Sequence, residues 1–308
     1  MKEIKMTDDL KSRLKANLFH AAHDAVGFDD SFSWHKDSSN TVDSWKKHSS
    51  QALAIDVFGT IKQPEHRDIL MDAIAKELGL QGGGPWTVEL EWSDPDNHLK
   101  ELPQWPTQVD VMAQNSHNLI FFECKFTEVD GGSCSQPRPL NNGQKKGKRQ
   151  CNGNYEDQVN PANGKRSKCA LTGKGIRYWA VIPQVLNCDP AANLSPCPFK
   201  GSWFQWMRNL TVCSEVARKK SLKPAFVLVY ADGDGLHMAK KVKLPDWKEF
   251  TDCVKKDGIV FRVFSYQTII QQLQGSISKN KDAQDLLRKL GEWVEKKIQT
   301  VQEKSNSQ

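Results

Sequence analysis

Apolar side chains recur four apart over residues 49–61, at Leu53, Val57 and Ile61, and this period predicts an amphipathic helix. Ser49 and Ser50 are its candidate N-caps, and Gly59 is where it would bend. The stretch HRDILMDAIAKELGL repeats the helical period through Ile69, Leu70, Ala73, Ile74 and Leu78, with Gly79 as a stop. The period then falls to two. WTVELEW (86–92) alternates Trp86, Val88, Leu90 and Trp92 with Thr87, Glu89 and Glu91, which predicts a strand. TQVDVMA (107–113) and NLIFFECKF (118–126) predict two more, with QNSHN as the turn between them.

Residues 127–175 hold little periodicity, and then the pattern resumes. IRYWAVIP (176–183) reads as a strand, WFQWMRNLTVCSEVARKK (203–220) as a helix and PAFVLVYA (224–231) as a buried strand. DWKEFTDCVK reads as a short helix, and VFRVFSYQTIIQQL as a strand running into a helix. The C-terminal DAQDLLRKLGEWVEKKIQTVQEK is amphipathic through Leu286, Leu290, Trp293 and Ile298, and a polar tail follows. A short helix is also expected over about 8–25. Helices and strands mixed in this order predict an α/β domain around a mixed central sheet.

Composition narrows the setting. A chain of 308 residues, 38% of them hydrophobic, can bury one large core. No apolar run approaches the roughly 20 residues of a membrane span, and the first residues lack the apolar segment of a signal peptide. A cytoplasmic protein without a membrane partner is therefore expected. The formal net charge of +6 suits a polyanionic partner without requiring one. Part of that charge is local, in Lys145, Lys146, Lys148 and Arg149 of QKKGKRQ and again in GKRSK (164–168). Both segments read equally as solvated loops or as phosphate contacts.

The second and third strands carry the candidate chemistry. If their hairpin is centred between Ser116 and His117, Asp110 and Glu123 fall opposite each other, with Cβ atoms about 4.5–5.5 Å apart. Lys125 then shares the face of Glu123. Opposed carboxylates flanked by Val109, Val111, Ile120, Phe121 and Phe122 repel one another, unless a hard divalent cation such as Mg²⁺ or Mn²⁺ lies between them. The carbonyl of Cys124 could add a third oxygen, and Lys125 could stabilise developing phosphorane charge or orient a water. Glu91, on the preceding strand, could supply a further carboxylate. The plainer reading is an amphipathic hairpin with a solvated Glu–Lys pair.

PTQVDV followed by IFFECKF resembles the bipartite signature of the PD-(D/E)xK nuclease superfamily, with Asp110, Glu123 and Lys125 at its three positions. SSQALAIDVFG, ECKFTE, CALTGKGIRYW and WFQWMRN are similar to a poorly characterised bacterial branch of it, over about 49–270. The resemblance implies a restriction-endonuclease-like αβββαβ core, with SSQALAIDVFG as the first core helix and WFQWMRN opening the second. Residues 1–45 would be a helical arm, 46–270 the nuclease-like domain with an insertion over about 131–200, and 271–308 a C-terminal helix and tail. It also implies metal-assisted phosphodiester hydrolysis, with Asp110, Glu123 and the Cys124 carbonyl holding Mg²⁺ and Lys125 assisting the water. Gln51, Gln205 and Arg208 become candidates for positioning groups or contacting phosphate. The signature's proline is displaced, since Val109 precedes Asp110 and Pro106 lies four residues back. The expected partner is DNA, in restriction, defence or repair, and enzymes of this kind often act as homodimers. A non-catalytic nucleic-acid-binding or interaction module on the same fold is the alternative, and a small-molecule enzyme a weaker third.

Cysteines cluster in the stretch that lacks a core pattern. Cys134, Cys151 and Cys169 fall there, and Cys188 and Cys197 follow before the second core helix, at intervals of 17, 18, 19 and 9 residues. Four thiolates on Zn²⁺ or an iron–sulfur cluster would tie such a segment down, although no Cys-x₂-Cys pair is present. Cys134, Cys151, Cys169 and Cys197 are the preferred set, Cys188 is the spare, and free thiols remain open. Cys124, Cys213 and Cys253 sit in regular patterns and read as core.

Overall fold

The computed structural model describes residues 6–277 and 280–305. The expected polar tail beyond Ser305 lies outside them. The arm is helix α1 (Asp8–Asn17), capped by the Thr7 hydroxyl, followed by a 3₁₀ turn at His20–Ala25. Helix α2 (Ser50–Ala54) takes its cap from Ser49 and widens into a π-helical turn at Ile55–Gly59, where the sequence predicts a bend. Helix α3 (Arg67–Glu77) follows, then strands β1 (Thr87–Ser93), β2 (Gln108–Gln114) and β3 (Asn118–Lys125). The first part of the insertion, up to residue 177, holds a two-residue hairpin, β4 (Gln158–Val159) with β5 (Arg166–Ser167), and the short helix α4 (Ala170–Gly173). Helices α5 (Tyr178–Val185) and α6 (Phe204–Lys220) lead to strand β6 (Lys223–Tyr230). The chain ends with α7 (His237–Lys241), α8 (Pro245–Cys253), β7 (Val260–Ser265), α9 (Tyr266–Ser276) and α10 (Lys281–Ser305).

Five strands form one mixed sheet in the order β1-β2-β3-β6-β7. The first three are antiparallel, whereas β3, β6 and β7 run parallel. This is the mixed-sheet α/β architecture of a restriction-endonuclease-like fold. Strand β3 is buried along its whole length because both of its faces are covered. Ile120, Phe122 and Cys124 point into one layer with α2, α3, α9 and α10, whereas Leu119 and Phe121 point into the other with α5, α6 and α8. Among the described residues no helix is long and apolar enough to cross a membrane.

One expected strand is a helix. IRYWAVIP reads as a strand that stops at Pro183, but α5 runs on to Val185, and Tyr178, Val181, Ile182 and Val185 are buried at helical spacing. Ending the window at the proline hides the last turn, and the short apolar run that remains suits either structure.

The arm and the C-terminal helix meet at Asp56, fully buried in the π-turn. Its carboxylate accepts from the Phe19 amide at 2.6 Å, the Trp293 indole at 3.0 Å and the Lys297 ammonium at 2.5 Å. On the opposite layer, Gly131 sets how closely the insertion approaches α6. Its carbonyl accepts from the Gln205 amide at 2.8 Å, and a Cβ here would lie 2.7 Å from both the Trp206 ring and the Ser202 carbonyl. Gly131→Ala is therefore expected to cost about 1–3 kcal/mol, read as a lower midpoint of thermal unfolding.

Candidate active site

The β2–β3 register has the predicted centre, pairing Val111 with Phe122 and Met112 with Phe121. The next positions in this register are Asp110 and Glu123. No ladder pair forms between them, and the strands part. The two polar backbone groups of Cys124 find side chains instead: its N–H donates to Asp110 Oδ2 at 2.6 Å, and its carbonyl accepts from the Ser50 hydroxyl at 2.9 Å. Glu123 and Lys125 lie on the α6 side of β3, both almost wholly buried, with Nζ 2.6 Å from Oε1. Helix α6 covers the pair. Asn209 donates to Glu123 Oε2 at 2.5 Å, and Lys125 donates to Gln205 Oε1 at 2.9 Å.

Burial pushes the Asp110 carboxyl well above its ordinary range, and the charges of Glu123 and Glu91 push it further than Lys125 and the Cys124 amide pull it back. Burial alone would lower Lys125, but Glu123, Glu128 and Asp110 outweigh it and raise the ammonium above its usual value. The site therefore combines a surplus of acid with a lysine that stays charged. Glu123 Oε1 touches Nζ yet makes no directed hydrogen bond, which leaves a buried oxygen under-satisfied. Two carboxylates and a peptide carbonyl are hard oxygen donors of the kind Mg²⁺ or Mn²⁺ takes.

Glu91 stands beside Asp110 on β1 with φ of 55°, a left-handed conformation uncommon outside glycine. The strand faces exchange there. Leu90 and Val111 pack with the first layer, while Trp92 and Val109 pack with the second. The turned Glu91 accepts from the His35 ring at 3.2 Å, and ligand atoms of His35, Glu91 and Asp110 lie within 4.8 Å of one another. Glu123 is not in that closest set.

A family model described as restriction endonuclease associating with ARP matches residues 9–290. The chain belongs to this family. No curated protein and no solved structure matches the chain. The family match takes in the arm, the insertion and the start of α10 as well as the 49–270 region of the superfamily resemblance.

Within that family frame, the structure brings Asp110, Glu123, Lys125, Glu91 and the Cys124 carbonyl to one end of β1–β3. Gln205 joins them through Lys125. Gln51 does not: its buried side chain accepts from the His35 amide and the Ser44 hydroxyl and donates to the Ser33 carbonyl, so it anchors the loop that carries His35. Arg208 is also spent elsewhere, donating to the Tyr178 hydroxyl at 2.9 Å and pairing with Glu101 at 3.2 Å. Lys145, Lys146, Lys148 and Arg149 are exposed on a turn closed by the Pro139–Arg149 bridge, with Lys145 donating to the Ala162 carbonyl. Cys134, Cys151, Cys169 and Cys197 line a single cavity, whereas Cys188 lies near Cys253.

Asn209, Ser50 and His35 are the participants that sequence reasoning missed. Asn209 left a signal, because it follows Gln205 by four and so shares its helix face. His35 also makes a test. Partial desolvation would lower its pKa, but the hydrogen bond and charge of Glu91, with the charge of Asp110, raise it from 6.5 to about 9. In metal-free protein followed by NMR, the His35 ring is expected to titrate near 9, and in Glu91→Gln to fall back toward about 6.5.

Proposed function

We propose that this chain is a Mg²⁺-dependent nuclease that hydrolyses phosphodiester bonds of DNA. The observation that supports the reading is the end of β2 and β3 beyond their last ladder pair, where Asp110 accepts from the Cys124 amide and feels the charge of Glu123, which pairs with a buried, charged Lys125. A fold selected for stability alone would not keep those acids together. Membership in a family described as restriction endonuclease supports the reaction class, and the net charge of +6 suits a nucleic acid.

Asp110, Glu123 and the Cys124 carbonyl would hold the cation, which when bound polarises the phosphate and makes a coordinated water more acidic. The chain's own groups do the rest. Lys125 stays protonated, so it donates to the developing charge on the phosphate or orients the attacking water and does not act as a base. Gln205 fixes the direction of its ammonium, and Asn209 holds Glu123 Oε2 while Oε1 pairs with Lys125. The protonated His35 ring, held by Glu91, places a second positive group beside Asp110.

The test is incubation of the purified chain with plasmid and linear DNA, and with RNA, in Mg²⁺, Mn²⁺ or EDTA. Cleavage that requires the cation supports the nuclease. DNA binding without cleavage under any of these conditions would instead make the chain a non-catalytic binding module.

A further inference from the structure

We infer that the insertion holds a four-iron iron–sulfur cluster on Cys134, Cys151, Cys169 and Cys197. These four cysteines come from separate loops, yet all line one cavity against the N-terminal end of α6. The loops are pinned so that the sulfurs converge. Gln150 and Cys151 donate their amides to the Gln136 carbonyl, the Cys197 amide donates to the Gly153 carbonyl, and Tyr155 bridges to Leu194. A segment with a two-residue hairpin and a one-turn helix has little else to hold it.

Three features distinguish this site from a chance meeting of thiols. First, three sulfurs accept backbone hydrogen bonds from residues just after them: Cys134 from Gln136, Cys151 from Gly153, and Cys197 from Phe199 and Lys200. Amides aimed at sulfur stabilise ligating thiolates and tune a cluster. Second, positive groups surround the cavity. Lys168 and Lys200 line it, and Lys174 lies close enough to feel Cys134, Cys151 and Cys169. Such charges offset the negative charge of four thiolates around a metal core.

Third, the spacing selects the occupant. No cysteines of this chain are disulfide-bonded, and no three of these sulfurs lie within 4.8 Å of one another. A zinc ion with Zn–S bonds of about 2.3 Å would draw four thiolates to roughly 3.8 Å. A cube of four irons and four sulfides holds its thiolates farther apart than a single zinc ion does. The walls contributed by Tyr155, Trp179, Phe199 and Phe204 are apolar, which suits a group shielded from water. Phe204 and Met207 on these walls belong to the helix that carries Gln205 and Asn209, so the cluster would also brace the end of α6 that covers Lys125.

The experiment is anaerobic purification of the full chain, with reconstitution by ferrous iron and sulfide if needed, followed by metal and acid-labile sulfide analysis and a visible spectrum. The expected result is about four irons and four sulfides per chain and a brown absorption that bleaches on reduction. Cys169→Ser is expected to lose most of the iron, and Cys188→Ser to keep it. One zinc per chain, or wild-type protein that takes up neither metal, would overturn the inference. Equal loss of iron in Cys188→Ser would overturn the ligand assignment, and because iron content is also read on the wild type, a poorly folding variant does not decide the matter. Asp110→Asn should retain its iron whether or not the chain cleaves DNA, so this inference and the nuclease reading fail separately.

Discussion

Asp110→Asn is expected to lower metal-dependent cleavage by about 10²–10⁴-fold while leaving the fold as stable as before, or more so. The first half follows from removing a charged oxygen where the cation would sit. The second follows from electrostatics without the cation. Burial and two neighbouring acids raise the Asp110 carboxyl well above its ordinary 3.8, so the folded state favours the protonated form. The sign is therefore that of a raised acid. Its contribution supports the fold at low pH and is lost as pH rises from 3.8 through the raised value, so at neutral pH the wild-type carboxylate is a burden that asparagine lifts. Mg²⁺ should raise the thermal midpoint of the wild type and leave that of Asp110→Asn nearly unchanged. Initial rates on plasmid DNA and melting curves with and without Mg²⁺ check both halves. Unaltered cleavage in the variant would remove Asp110 from the reaction. Lys125→Ala is a less clean probe, because it strands the buried Glu123 carboxylate beside Asn209.

The second large effect is structural. Lys297→Met should destabilise the protein by about 3–5 kcal/mol, since it leaves the fully buried Asp56 carboxylate without its counter-charge. Burial opposes the charged form of both partners, raising Asp56 and lowering Lys297, and their mutual attraction opposes both shifts. Adding Asp56→Asn should recover much of the loss, because a neutral amide oxygen can still accept from Phe19 and Trp293. Urea titrations with matching slopes would isolate the stability term. A loss below about 0.5 kcal/mol for the single variant would mean that the pair carries no weight.

What could be read before the structure, and what could not, follows from the range of each interaction. The hairpin was legible because a two-residue turn centre and strict alternation fix its register as far as Val111 and Phe122, but the parting of the strands at Asp110 and Glu123 was not. Helix α6 and strand β6 were legible from period alone. Which α6 side chains reach β3 depends on how the helix is rotated against the sheet, so the sequence pattern does not tell that Gln205 meets Lys125 and Asn209 meets Glu123 while Arg208 turns to Tyr178 and Glu101. Gln51 looked like a site residue because it sits on the first core helix, but the loop at 33–44 folds back and occupies its amide. The convergence of four cysteines from irregular loops has no period at all, so their spacing could suggest a set but not a cavity.

The partnership of Asp56 with Lys297 spans 241 residues. A ribosome making this chain therefore completes the whole sheet well before it produces the ammonium that neutralises the acid in the first core helix. Until α10 has been translated and docked, that helix must keep its carboxylate wet or protonated, and the arm amide of Phe19 lacks a settled partner. Synthesis order thus delays the maturation of this fold, and prematurely terminated chains should be left open to proteolysis at the very helix whose Ser50 props up the Cys124 carbonyl.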